Sequence, residues 1–286
     1  MVGLLSGSRC RWPRKDDARA GDRVGCGVLF AFDLDRTLVT DDNRLPEAGI
    51  AAIGKLRSAG HHVTVLTGRP LPSARRFVEA LGVSGPFSVN HGAQVIGTGG
   101  HELRRVRLRS ADVNILLDPW RDHPEVEFSC VIDDTLWVKN PNDPRWRWAH
   151  TESRLVGRFD PGETQDVDKV VFASSETSLM VNHHAASSLP HTERYLWGDN
   201  FLEVIGPGAD KGSALTFIAK ELGYSQREVV AFGDGLNDVS MLRYAARSVA
   251  VGPHAHVDVL AAADEHIAAP EEDGVALWVD RFLATP

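Results

Sequence analysis

Cysteine is scarce: Cys10, Cys26 and Cys130 are the only three in the chain, far apart and odd in number. Neither a disulfide framework nor a CxxC metal site is suggested, and a reducing, cytoplasmic location fits. Long apolar runs are missing as well. None approaches the roughly 18 residues a membrane helix needs, so no membrane partner is expected. An excess of positive charge is the third absence. The 286 residues hold 31 Lys and Arg against 39 Asp and Glu, a formal charge of −8. That argues against nucleic acid or an anionic membrane as partner. Residues 1–25 lack apolar periodicity, and Leu4–Leu5 is too short for the apolar segment of a secretory signal. They read as a flexible tail.

What is there belongs to a globular protein with ample length for a buried core: 43% hydrophobic and 24% charged residues. GVLFAFDLD, residues 27–35, is an apolar run ending in acids. It reads as a central parallel strand, covered on both faces and so free of alternation. LPEAGIAAIGKLRSAG, residues 45–60, has helical spacing and closes on Gly60. A second strand, HHVTVLTGRP, a second helix, LPSARRFVEALGV, and a third strand that turns back on itself, PFSVNHGAQVIG, follow. This βαβαβ order predicts a Rossmann-like parallel sheet with helices on its faces, the α/β class. Residues 98–206 change character, with strand-like runs separated by helical or turn-rich segments, and read as an α+β insertion. After Gly206 the alternation resumes: KGSALTFIAKELGY, REVVAFGD, NDVSMLRYAA, RSVAVG. The expected organisation is a discontinuous core of residues 26–97 and 207–286 with an inserted domain of residues 98–206.

Polar residues gather at strand ends, the edge where open α/β sheets bind ligands. Asp33 and Asp35 follow the first strand; Asp234 and Asp238 follow a later one in FGDGLND. Four acids together would repel one another, and a bound cation relieves that. Oxygen ligands without His or Cys favour Mg2+ over Zn2+. Read alone, FGDGLND is equally a turn and a helix cap. Thr67 and Gly68 in VLTGRP can present a hydroxyl and backbone N–H groups to an anion, although strand–TG–turn is common without one. Lys211 opens a predicted helix, where a cation opposes the dipole. Contact with a phosphate or an aspartate would explain it; so would a solvated surface. The pair Asp133–Asp134 reads as a turn. His183 and His184, Trp146 and Trp148 (spaced like a strand face), and the basic stretch Arg104, Arg105, Arg107 and Arg109 read first as packing or surface residues.

The order DxDxT, strand-end Thr, helix-opening Lys and GDxxND resembles the haloacid dehalogenase superfamily of phosphohydrolases. DLDRTL matches its first motif, LTGRP its second, Lys211 in ADKGSAL its third and GDGLND its fourth. The place of the insertion looks like the type IIB cap of the Cof-like hydrolases and their sugar-phosphatase relatives. The resemblance covers residues 28–97 and 207–276. It implies a haloacid dehalogenase core with a cap domain, and an Mg2+-dependent phosphatase acting on a small phosphorylated metabolite. Asp33 would be the nucleophile. Asp35 would be the general acid and base, its backbone carbonyl also a metal ligand. Asp234 and Asp238 would serve the metal, Thr67, Gly68 and Lys211 the phosphoryl oxygens, and Asn237 a further hydrogen bond. Phosphomannomutase-like transfer, or a non-catalytic metal-binding relative, would share the pattern. Three departures mark this chain: Arg36 where relatives usually carry Gly, Asn90-His91-Gly92-Ala93 where they often show Asn-Gly-Ala, and Pro253 in place of an Asn.

Overall fold

The computed structural model describes residues 27–151, 154–160, 165–174, 178–197 and 200–285. The tail expected at residues 1–25 lies outside them. The chain enters at β1 (Leu29–Phe32), followed by α1 (Glu47–Ser58), β2 (His62–Val65) and α2 (Leu71–Ala80). Gly60, just past α1, has φ +85°, the left-handed conformation that ends a helix without steric cost. A small antiparallel sheet comes next: β3 (Phe87–Val89), β4 (Gln94–Ile96) and β5 (Glu102–Arg105). The third strand foreseen in the sequence is thus the hairpin β3–β4, turning at Asn90–Gly92.

Next come α3 (Ser110–Leu117), β6 (Glu127–Ile132), β7 (Thr135–Val138), α4 (Arg147–Thr151) and β8 (Val156–Arg158). Then follow β9 (Lys169–Ala173), α5 (Ser178–Ser188), β10 (Glu193–Trp197) and β11 (Phe201–Ile205). These six strands form a second sheet in the order β10-β11-β9-β6-β7-β8. The chain then returns through α6 (Lys211–Glu221), β12 (Val229–Gly233), α7 (Val239–Tyr244), β13 (Arg247–Val251), α8 (Val257–Ala262), β14 (Glu265–Ile267) and α9 (Gly274–Ala284).

The central sheet is parallel throughout, in the order β14-β13-β12-β1-β2. Its first strand shows why LFAF does not alternate. Phe30 and Phe32 pack with Ile53, Phe77 and Trp278 on one face; Leu29 and Ala31 pack with Leu215, Ile218 and Met241 on the other. Each large apolar side chain so buried is worth about 1.5–3 kcal/mol. Register places the site: Phe32 lies opposite both Phe232 and Val65. Asp33, Asp234 and Thr67 therefore emerge together at the carboxyl edge.

The second sheet alternates by contrast. Val170, Phe172, Leu202 and Val204 face α3 and α5, while Val171 and Ala173 turn to the other face. By the same period of two, Lys169 on β9 and Glu203 on β11 lie on the face away from those helices. One local expectation is corrected. PRWRWAH is no strand: Pro144–Trp146 is a 3-10 turn whose Asp143 side chain accepts from Arg145 N, and it runs into α4. A proline behind a capping aspartate starts a helix, and a two-residue alternation of Trp is too short to outweigh it. Trp146 is fully buried, its Nε1 donating to Glu127 Oε2 at 3.3 Å.

Candidate active site

The strand β1 ends by handing Asp33 N to Phe232 O at 3.0 Å. The chain then folds on itself: Thr37, Leu38 and Val39 N all donate to Leu34 O, and Arg36 N donates to Val39 O. This tight loop holds Arg36 at φ +56°, a conformation natural to glycine and costly for arginine. Asp33 is buried in the site. Asp35 is turned outward, 48% exposed, and Arg69 grips its carboxylate through Nε and Nη2 at 2.5–3.1 Å. Arg69 also rests over the Phe77 ring.

After β12, a 3-10 turn at Leu236–Asp238 leads into α7. The Asp238 carboxylate closes this turn, Oδ2 accepting from Asp234 N at 3.0 Å and Gly235 N at 2.9 Å. Its Oδ1 accepts from Lys211 Nζ at 2.5 Å, and the same ammonium reaches Asp33 Oδ1 at 2.5 Å. Asp238 is thus both the turn's cap and a charged member of the site. Lys211 is the first residue of α6, capped by Asp210 and Ser213. Two buried carboxylates explain a cation at a helix start, where the dipole disfavours it.

Asp33, Asp234 and Asp238 each offer an oxygen within 4.8 Å of the others, the one such acidic group found among the described residues. Burial pushes the Asp33 carboxyl well above the usual range; Lys211 opposes this, and Asp238, Asp35 and Asp234 add to it. Asp234 is pushed up to about 7, by burial first and Asp238 next, against the pull of Arg36 and Lys211. Burial would lower Lys211, but Asp238 and Asp33 outweigh it and raise its pKa, so the ammonium stays charged. Three buried carboxylates with one buried lysine are short of positive charge, and an all-oxygen donor set fits Mg2+. The carboxylate of Asp35 stands apart from this trio, on Arg69. Arg36 meets the shortage partly: its Nε lies 3.0 Å from Asp234 Oδ2, with the side chain 52% exposed.

Thr67 is fully buried, its Oγ1 accepting from Arg69 N at 3.1 Å. A Cβ on Gly68 would overlap the His91 ring, so that glycine makes room for the histidine. Asn237 Nδ2 is 3.1 Å from His91 Nδ1. The His91 Nε2 in turn meets Glu203 Oε2 at 3.1 Å, and Glu203 is held by Lys169 Nζ at 2.8–2.9 Å and Trp197 Nε1 at 3.0 Å. Burial would raise Glu203, but Lys169 and His91 bring it down to about 2. Burial keeps His91 below its ordinary value, hence neutral.

The geometry therefore gathers Asp33, Asp234, Asp238 and Lys211 in one buried cluster, with Asp35, Thr67, Gly68 and Asn237 around it. Arg69, His91, Glu203 and Lys169 were not foreseen. Arg69 lay in plain view inside LTGRP, and His91 stood at a departure from the family pattern. For Lys169 and Glu203 no local signal existed. His184 packs against Trp120 and bonds Ile115 O, away from any acid cluster. Among the described residues no helix is long and apolar enough to cross a membrane.

The profile of the haloacid dehalogenase-like hydrolases matches residues 30–279. A protein of Yersinia pseudotuberculosis named HMP-PP phosphatase is 26% identical over 271 residues, covering 90% of this chain and 96% of that one. The protein of the same name from Yersinia enterocolitica is 25% identical over 270 residues, with the same coverage. Among solved structures, a haloacid dehalogenase subclass IIB sugar phosphatase superposes with a TM-score of 0.77 at 25% identity, over 89% of this chain and 98% of its own. A haloacid dehalogenase-like hydrolase from Bacteroides thetaiotaomicron gives 0.78 at 22% identity, over 90% and 99%, and speaks to fold alone.

Proposed function

The chain belongs to the haloacid dehalogenase-like hydrolases and is a phosphatase of that family; on that premise we propose that it hydrolyses a small phosphorylated metabolite, a sugar phosphate or phosphorylated cofactor, with Mg2+ and through an aspartyl-phosphate. The observation that carries the proposal is the buried trio Asp33, Asp234 and Asp238, with a single buried lysine bridging Asp33 and Asp238. Both the relatives named HMP-PP phosphatase and the sugar phosphatase fold neighbour support a phosphoryl monoester or anhydride of a small molecule as substrate. The second sheet with α3 and α5, all within residues 98–206, acts as the cap over the core, while β5 of that segment pairs with β4 on the core side.

Asp33, Asp234 and Asp238, with the Asp35 carbonyl, would hold Mg2+. When bound, that ion supplies the positive charge that lets a carboxylate approach a phosphoryl group. Lys211 fixes the Asp33 carboxylate and offsets charge on the phosphoryl oxygens. Asp33 attacks phosphorus, the bond to the leaving oxygen breaks, and Asp35 delivers a proton to that oxygen. Water then attacks the aspartyl-phosphate while Asp35 takes its proton, releasing phosphate and restoring Asp33. Arg69 engages both Asp35 oxygens through Nε and Nη2, so it must release one of them for that oxygen to reach the leaving group. The Thr67 hydroxyl, the Gly68 N–H and the Asn237 amide complete the phosphoryl cradle.

Hydrolysis of p-nitrophenyl phosphate tests this reading. Turnover is expected with Mg2+, to vanish with a chelator, and to vanish in Asp33→Asn. Metal-independent turnover, or full activity in the variant, would sink it. Free phosphate as the main product separates hydrolysis from transfer back to a sugar.

A further inference from the structure

Asn90 and His91 both lie in the left-handed region, at φ +50° and +57°, which a non-glycine residue adopts only when its surroundings demand it. Here the demand comes from four directions. His91 N donates to Thr67 O at 3.0 Å and Asn90 N to Arg69 O at 2.9 Å, so the turn holds the backbone of the Thr67–Arg69 loop. Gly92, at φ +105°, is pressed against the backbone of Asp210 at the start of α6; a Cβ there would collide with it. The ring stacks on Tyr195 of β10, centroids 4.3 Å apart and planes 16° apart. Both ring nitrogens are occupied: Nδ1 by the Asn237 amide, Nε2 by Glu203 of β11.

The hydrogen-bond chain has a direction. Glu203 is ionised between Lys169 and Trp197, so it can only accept. His91 must donate to it from Nε2, which leaves Nδ1 of the neutral ring as an acceptor. Asn237 must then donate from Nδ2, and its amide can point only one way. A buried ion pair on the second sheet thereby fixes the orientation of a side chain next to Asp238, in the turn that follows β12 of the central sheet.

We propose that His91 is a positioning residue that ties the Asn237 amide and the Thr67–Gly68 loop to Glu203 on the second sheet, so that the phosphoryl cradle is fully assembled only when that sheet is seated on the core. The proposal rests on the reading of Asn237 and Thr67 as phosphoryl-binding. It makes Glu203, which touches no reacting atom, a determinant of phosphate affinity.

The test is inhibition of p-nitrophenyl phosphate hydrolysis by inorganic phosphate, with Mg2+ affinity and thermal unfolding measured on the same proteins. His91→Ala and Glu203→Gln are each expected to weaken phosphate by roughly tenfold, and the double variant to be no worse than the singles. Mg2+ affinity stays unchanged. His91→Gln, whose amide can accept on one atom and donate from the other, restores most of the loss. Additive losses, or unchanged phosphate affinity with only a lower melting temperature, overturn the relay while leaving the phosphatase reading intact, provided Asn237→Ala still weakens phosphate. An Asn237→Ala protein that binds phosphate as the parent does overturns the relay and the reading of Asn237 as phosphoryl-binding; the phosphatase reading falls only if the parent shows no Mg2+-dependent turnover.

Discussion

Two buried charged clusters lie within one molecule, and they are balanced differently. At the edge of the parallel sheet, Asp33 and Asp238 share Lys211 while Asp234 meets only the half-exposed Arg36, and the carboxyls of Asp33 and Asp234 are pushed up, Asp234 to about 7. On the second sheet, Glu203 has Lys169 to itself, plus two neutral donors, and is held down to about 2. Burial acts to raise Asp33, Asp234 and Glu203 alike; the count of partnered cations decides the sign of the result. The first cluster is short of a cation and suited to take one up. The second is complete, and suited to holding parts in place.

The strongest break of the comparison is at Asp33. Asp33→Asn should cost on the order of ten-thousand-fold in turnover while leaving the fold intact, since the amide relieves rather than creates an unpaired charge. Chemical denaturation beside phosphate release checks both halves. Lys169→Met probes the balanced cluster: it strands Glu203 in the interior and should destabilise the chain by roughly 3–5 kcal/mol. Adding Glu203→Leu should restore most of that stability, because the whole pair is then replaced by apolar groups.

Stability against pH separates the clusters without mutation. Asp234 binds a proton in the folded state up to about pH 7, whereas its unfolded value is about 3.9. Its contribution is present at low pH and is lost as pH rises from about 4 through 7 in the metal-free chain. The Glu203 contribution has the opposite sign: present above its unfolded value of about 4.3 and lost as pH falls toward 2. Mg2+ should abolish the Asp234 slope, since it holds the charged form, and its affinity should fall below pH 7. Denaturation midpoints across pH, with Mg2+ and with chelator, would read this out.

The smallest effect concerns Arg36. Its ion pair with Asp234 competes with an incoming divalent ion, so Arg36→Gly should tighten Mg2+ binding by about three- to tenfold. Stability should move by no more than about 1 kcal/mol, as relief of the left-handed backbone offsets loss of a half-exposed pair. Unchanged Mg2+ affinity in a calorimetric titration would remove Arg36 from the account.

The sequence disclosed the two regions unequally, and for physical reasons. The parallel sheet was legible because buried strands read as unbroken apolar runs whose ends carry the acids, and parallel register brings those ends level. Asp33, Asp234 and Thr67 could be placed at one edge on that logic, whereas Lys211, at a helix start, was tied to them only by the family resemblance. In the second sheet, Glu203 sits in FLEVI as one polar residue in an alternating strand, and its partner Lys169 is 34 positions away. The His91 contact spans 112 positions. Pairings of that kind come from packing, and no local pattern encodes them. The basic stretch misled in the same way: Arg105 and Arg107 both converge on Asp168 and Asp133, ion pairs that its first reading as packing or surface residues did not foresee. Arg36 was visible as a departure, but only the loop geometry aims it at Asp234.

One measurement bears most directly on the charge shortage at the parallel-sheet edge: a calorimetric Mg2+ titration of the parent chain and of Asp234→Asn above pH 7. The account predicts one ion per chain for the parent and its loss, or a large weakening, in the variant. No binding to the parent, or binding undiminished by the substitution, would contradict it.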